Sequence, residues 1–291
     1  MKPLKLEINN EFFTVWYLKG PGNSPILHWF HANGFNGPTY ENLLKKLSQF
    51  CHVYAWDARA HGLSSQLKLP KKNNVYKQYV ADFVKLINVL YEKHSLPIIV
   101  AGHSFGATVC IKAEATLKGK ISKLILADPV LFTPFVARAS EIFRLLKFKQ
   151  PRAIYLAKNA ANRQNIWPSQ NDALLSLSQK QLFKNWDETS LQNYIQYGTT
   201  SSSESVQLRC PPEIESFIFK ESENEFLSQE IMNLSIPTHA YFASKGSPAF
   251  GKSAFRKSDN TQTRMIIPST THLFPIDQPV KFSKEILKHI T

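Results

Sequence analysis

The sequence predicts an α/β fold in which a mostly parallel sheet is flanked by helices, and three observations carry that expectation. Short, near-continuous apolar runs recur at 25–31 (PILHWFH), 97–101 (PIIVA) and 123–127 (KLILA), as expected for strands buried on both faces. Helical stretches separate them. The strongest is 75–94, where Tyr76, Tyr79, Val80, Phe83, Ile87 and Leu90 fall on one face and Lys77, Asp82, Lys85 and Glu92 elsewhere. The length, 291 residues, suits one large domain of this class or a core that carries an insertion.

Each element follows in order. Residues 4–9 and 12–18 read as two strands joined at Asn9-Asn10, a pair suited to a tight hairpin turn. The strand at 25–31 runs into a loop of small residues at 32–38, and Leu43, Leu44 and Leu47 mark a helix over 40–48. Residues 51–57 (CHVYAWD) read as a strand. After the 75–94 helix come the strand at 97–101, a helix over about 105–117 and the strand at 123–127. The pattern returns late, with strands at 238–243 and 263–267 and a closing helix at 279–290.

Between about 131 and 235 the character changes. Helical stretches are broken by Pro151, Pro168, Pro211 and Pro212 and by the serine run at 200–203, and no strand is expected there. The organisation expected is a core over 1–130, a helical insertion over 131–235 placed like a lid, and the rest of the core over 236–291.

Composition excludes several classes. Hydrophobic residues at 43% and charged residues at 20% suit a packed protein rather than a disordered one. Cys51, Cys110 and Cys210 are odd in number and widely spaced, which argues against a disulfide framework or a cysteine-rich zinc module. No uncharged apolar run approaches about 18 residues, so no membrane span is expected. The N-terminal MKPLKLEINNEFF lacks the apolar run of a secretory signal, so a cytoplasmic location is expected. The net charge of +13 raises nucleic-acid binding. No zinc finger, ribonucleoprotein motif or basic-region helix accompanies it, and nucleic acid is not expected as a partner.

The chemistry centres on Gly102-His103-Ser104-Phe105-Gly106. An apolar strand ends just before it and a helix begins at about Phe105, the strand–turn–helix context of a nucleophile elbow. Glycine at 102 and 106 permits the tight turn, and Ala107 and Thr108 let the helix approach the sheet. Ser104 is then lifted clear of the strand end. The Phe105 amide, at the helix N-terminus, points where an oxyanion forms. The plainer reading is a glycine-rich turn with an exposed serine.

Three further motifs accompany the elbow in order: His31-Ala32-Asn33-Gly34-Phe35, the run Asp57-Ala58-Arg59-Ala60-His61-Gly62-Leu63-Ser64, and Thr271-His272-Leu273-Phe274-Pro275 with Gln278-Pro279 following. Together the four resemble the motifs of cap-bearing α/β-hydrolases, across nearly the whole chain. The resemblance implies an eight-stranded, mostly parallel sheet with an inserted helical cap, a serine nucleophile and no cofactor or metal. Ala60 and Thr271 stand where such hydrolases usually carry glycine. The resemblance makes His272 the base that takes the Ser104 proton, and makes His31 and His61 structural. His103, next to Ser104, is read as a packing or hydrogen-bonding residue.

The acid departs from the pattern. Relatives usually place it in the loop after the penultimate strand, here Ser244-Lys245-Gly246-Ser247, yet no Asp or Glu occurs from 237 to 258. Asp259 follows. The other known location is the end of the strand after the elbow helix, which makes Asp128 the expected acid in the order Ser…Asp…His. Asp57 is read as pairing locally with Arg59. The oxyanion hole is expected to combine the amides of Phe105 and Asn33, with Gly34 as the turn that exposes the latter.

Residues 131–165 hold Arg138, Arg144, Lys147, Lys149, Arg152, Lys158 and Arg163 against the single acid Glu141. A solvated lid face is one reading; a surface for anionic substrates or anionic lipid is the other. Cys210, beside Pro211-Pro212, is expected to be buried. The function expected is hydrolysis of small to medium carboxylic esters, a small-molecule substrate class, through an acyl-enzyme. Thioester, lactone or carbon–carbon hydrolysis and acyl transfer use the same triad, and a binding protein on a hydrolase scaffold is the non-enzymatic alternative.

Overall fold

A computed structural model describes residues 1–66, 68, 75–131, 151–222, 227–249, 251–255 and 261–290. The hairpin β1 (Lys2–Ile8) and β2 (Glu11–Leu18) turns through Asn9 and Asn10, both at positive φ (54° and 60°), as a two-residue hairpin turn requires. The chain then alternates β3 (Ile26–Phe30), α1 (Glu41–Leu47), β4 (His52–Trp56), α2 (Val75–His94), β5 (Ile98–His103), α3 (Phe105–Ala113) and β6 (Ile121–Ala127). After the segment between β6 and β10 come β10 (Thr238–Ala243), β11 (Gln262–Ile267), and two closing helices, Phe274–Asp277 and Pro279–Leu287.

These strands form one eight-stranded sheet in the order β1-β2-β4-β3-β5-β6-β10-β11. Only β1–β2 and β2–β4 pair antiparallel; every other pair is parallel. Every residue of β3 and β5 is buried. Helices α2 and α3 cover one face, with Tyr79, Phe83, Leu90 and Val109 in its core. Helix α1 and the last helix cover the other, with Leu43, Leu47, Phe282 and Ile286. Asp82, expected off the packed face of α2, is also buried, because it pairs with Arg59. The fold is that of an α/β-hydrolase.

Between β6 and β10 the described chain leaves the large sheet. It forms α4 (Pro151–Ala161), α5 (Gln170–Ser178), α6 (Glu188–Gly198), α7 (Pro212–Ser222) and α8 (Ser228–Met232). It also forms β7 (Ile166–Trp167), β8 (Thr199–Ser201) and β9 (Val206–Leu208), an antiparallel sheet of order β7-β9-β8. This corrects the expectation of no strand in this segment. Strands of two or three residues are too short to show the alternation that marks a strand in sequence. Among the described residues no helix is long and apolar enough to cross a membrane.

Candidate active site

Parallel strands of one sheet present their C-terminal ends together, and β3, β5, β6 and β10 bring four loops to one edge. At the end of β5, Ser104 caps α3 at φ 54° and ψ −117°. This sparsely populated conformation costs about 1–3 kcal/mol and persists only when its surroundings impose it. They do so here. A Cβ on Gly102 would stand 2.8 Å from the Ala107 nitrogen, and one on Gly106 would stand 2.6 Å from the carbonyl oxygens of Phe30 and His31. Glycine at both positions lets α3 lie against the sheet and the loop after β3.

The turn brings Ser104 Oγ to 3.0 Å from His272 Nε2, across 168 residues of chain. His272 Nδ1 lies 2.7 Å from Asp128 Oδ2. Asp128 follows β6 at φ 44° and is fully buried. Its amide donates to the Tyr241 carbonyl at 2.7 Å, which ties it to β10. Its Oδ1 accepts from Ser247 Oγ and from the Ala243 amide. Ser247 is in the loop after β10, which carries no Asp or Glu before Asp259 and instead supplies a donor to the carboxylate at the end of the neighbouring strand. With a carboxylate on Nδ1, the His272 ring carries its proton there and presents Nε2 as an acceptor to the Ser104 hydroxyl. Asp259 lies outside the described residues.

Around this trio stands a buried polar frame. His103 Nε2 donates to the His272 carbonyl at 2.9 Å, leaving His103 Nδ1 to accept from Tyr40 Oη at 2.8 Å. Tyr40 Oη in turn accepts from the Ala32 amide at 3.0 Å. The bond directions are thus fixed along the whole chain, from the histidine loop to the loop after β3. His61 Nε2 accepts from the Gly34 amide and His31 Nε2 from the Ala58 amide, each at 3.0 Å, which stitches loop 31–37 to loop 57–64. Burial pushes the His61 imidazole down to about 4 and holds His31 and His103 well below the usual histidine range. All three are neutral, as their accepting nitrogens require.

Asp57 does not pair with Arg59. Its Oδ1 accepts from the Gly37 amide and Trp16 Nε1, its Oδ2 from the Leu63 amide, and burial raises its pKa to about 6. Arg59 reaches Asp82 and Glu11 instead. A strand-end carboxylate facing a row of amides has no need of the nearby cation. Ala60 sits at φ 61°, so the departure from glycine places a Cβ in left-handed backbone, at a cost of about 1 kcal/mol. Cys210 is buried, as expected.

Tyr40 and Ser247 carry no signal in the sequence; His103 had one, standing inside the elbow motif. Replacing Tyr40 by Phe strands two buried partners, the Ala32 amide and His103 Nδ1. Urea denaturation is expected to show a loss of about 2 kcal/mol.

Residues 26–186 match the model of the serine aminopeptidase S33 family of hydrolases. The chain belongs to this family. Among curated relatives, this hydrolase is 30% identical over 115 residues to the 2-(acetamidomethylene)succinate hydrolase of Mesorhizobium japonicum, covering 40% of this chain and 38% of that one. It is 27% identical over 182 residues to protein phosphatase methylesterase 1 of Saccharomyces cerevisiae, covering 57% and 42%. The matched stretches thus span only about two-fifths of these relatives' length. The solved structure of an E-2-(acetamidomethylene)succinate hydrolase superposes with a TM-score of 0.78 at 18% identity, covering 99% of this hydrolase and 98% of that chain.

Of the basic residues expected on the lid, Arg138, Arg144, Lys147 and Lys149 lie outside the described residues. Arg163 is not a solvated cation: its guanidinium bonds Glu215 at 2.6 Å and Tyr194 Oη at 2.8 Å.

Proposed function

We propose that this hydrolase cleaves small to medium carboxylic esters through a Ser104–His272–Asp128 triad. The observation that carries the reading is the continuous run from Ser104 Oγ through both nitrogens of His272 to Asp128, at 3.0 and 2.7 Å. Ser104 Oγ attacks the ester carbon while its proton passes to His272 Nε2. Asp128 holds the ring and stabilises the imidazolium. The tetrahedral oxyanion is received by the amides of Phe105 and Asn33. Collapse expels the alcohol, protonated from His272, and leaves an acyl-Ser104. Water, deprotonated by Nε2, then releases the acid.

The assignment of Asn33 follows its place in the motif His31–Phe35, and the neighbouring amides of that motif support it. The Ala32 amide donates to Tyr40, Gly34 to His61, Phe35 to the Ala32 carbonyl and Gly37 to Asp57. The Asn33 amide has no acceptor among the described residues. Phe105 occupies the first position of α3, where an amide has no partner within the helix. The segment 131–235 serves as a cap: α7 and α6 from it pack directly on the loop that holds Asn33.

A fluorophosphonate probe tests the nucleophile. Labelling is expected on Ser104 in the folded protein and is expected to vanish in Ser104→Ala. An unlabelled native protein would return the scaffold to a binding role. A panel of nitrophenyl esters of increasing acyl length, with a thioester and an anilide alongside, then sorts the substrate class.

A further inference from the structure

The loop that carries Asn33 is held by a closed ring of contacts from the cap. Asn33 Nδ2 donates to the Glu215 carbonyl on α7 at 3.0 Å. The Glu215 carboxylate accepts from Arg163 Nη1 at 2.6 Å. Arg163 Nη2 donates to Tyr194 Oη on α6 at 2.8 Å. The Tyr194 carbonyl accepts from Asn36 Nδ2 at 3.3 Å, three residues beyond Asn33 on the same loop. The ring therefore begins and ends on the loop, spanning 182 residues of sequence on one side and 158 on the other.

Two further observations show that the fit is close. A Cβ on Gly34 would meet the Glu215 side chain at 2.9 Å, so the carboxylate packs on the loop backbone itself. The Arg163 and Glu215 side chains are only 18% and 12% exposed. A charge pair withdrawn from water is weak evidence for net stability, because desolvation offsets the attraction. What such a pair gives is geometry: the planar guanidinium serves a carboxylate and a phenol at once and so fixes the spacing of α6 and α7. The Asn33 amide belongs to the peptide immediately before the first of the two anchored side chains, so holding that side chain holds the residue whose amide would donate.

We propose that Arg163 and Glu215 are positioning residues, a clamp by which the docked cap sets the oxyanion loop in its donating shape. Cap docking and oxyanion stabilisation are then one coupled event, and a cap that swings away takes the order of the hole with it. The proposal rests on the ester-hydrolase reading for its kinetic consequence, but its structural content stands apart from it.

The test uses the full chain and three readouts on Arg163→Met, with Arg163→Lys as the conservative partner. Turnover of a short nitrophenyl ester is expected to fall about 10- to 100-fold in kcat with KM within about threefold, the scale of a misplaced catalytic group. Affinity for a trifluoromethyl ketone is expected to fall in the same proportion. Ser104 Oγ adds to its carbonyl carbon, the serine proton passes to His272, and the hole holds the resulting oxyanion. Hydrogen exchange of amides 31–37 is expected to quicken, whatever the substrate proves to be. In Arg163→Gly, added methylguanidinium is expected to restore part of the kcat, which a global loss of structure would not permit. Wild-type exchange in the loop of Arg163→Met, or wild-type adduct affinity, overturns the clamp. So does a loss confined to KM, which would make Arg163 a substrate contact. Failure of fluorophosphonate labelling in the unmodified protein sinks the ester reading alone, and leaves the exchange experiment to judge the clamp.

Discussion

Asp128→Asn is expected to lower kcat by about 10⁴-fold with little change in KM, the scale seen when a triad histidine is held in the wrong tautomer. The reason is specific to this site. Ser247 Oγ accepts from the Ala249 amide, so its own hydroxyl proton is directed at Asp128 Oδ1. The Ala243 amide points at the same oxygen, at 3.3 Å. In the asparagine variant these two donors select the carbonyl oxygen for that position. The side-chain NH₂ then faces His272 Nδ1, where Oδ2 now lies at 2.7 Å. Facing a donor, Nδ1 must give up its proton, which moves to Nε2, and Nε2 can no longer receive the proton of Ser104. Steady-state kinetics with a chromogenic ester measures the loss. Adding Ser247→Ala removes one of the two donors that trap the amide, so the double variant is expected to recover part of the activity. Full turnover in Asp128→Asn would remove Asp128 from the triad.

Acidification is expected to destabilise the protein between pH 7 and 5. His28, His31, His61 and His103 are fully buried. Three of them accept hydrogen bonds, and His28 lies between Trp56 and Phe83 with no partner for either ring nitrogen among the described residues. Burial lowers His28 to about 3 and His61 to about 4, and holds His31 and His103 well below the usual range. Folded pKa values below the unfolded value near 6.5 mean that the unfolded chain binds the extra protons. Their contribution is complete above pH 6.5 and is lost as pH falls. By pH 5 His28 and His61 cost about 2 kcal/mol each, and His31 and His103 act in the same direction. Asp57 acts in the opposite sense: with its folded pKa raised to about 6, it takes up a proton in the native state first and returns about 1 kcal/mol. The net loss is a sizeable part of the stability of an ordinary domain, about 5–15 kcal/mol. Urea titrations at pH 7.5, 6 and 5 measure the slope. His28→Phe, which puts an apolar ring in an apolar site, is expected to reduce the slope. A pH-independent midpoint would show that the buried imidazoles are protonated without cost.

Much of this molecule can be read without coordinates, for physical reasons that also mark where reading stops. The runs at 25–31, 97–101 and 123–127 announce strands because a parallel strand covered on both faces has almost no polar position to spend. The elbow is legible because its two glycines answer local crowding. Asp57 shows the opposite case. Its nearest cation in sequence is Arg59, yet its partners are amides of loops 20 and 6 residues away. Arg59 meanwhile answers residues 23 and 48 positions off. Proximity along the chain is a poor guide once a strand end has turned the side chain. The ring through Arg163, Tyr194 and Glu215 was equally out of reach. Each residue alone reads as a solvated charge or a helix-face aromatic, and only the packing of α6 and α7 on the loop makes them partners.

The backbone at Ser104 and Asp128 has a consequence for how such a chain can decay. Both residues hold left-handed φ angles, 54° and 44°, that glycine would occupy without strain. A change to glycine would relieve backbone strain at either position, but at 128 it would also leave the Ser247 hydroxyl and the Ala243 amide without their acceptor. Backbone relief and the proposed chemistry therefore pull in opposite directions at Ser104, while at Asp128 the hydrogen bonds offset the relief. A lineage released from the need to hydrolyse would find glycine less strained at 104, whereas the carboxylate at 128 stays anchored by its own partners.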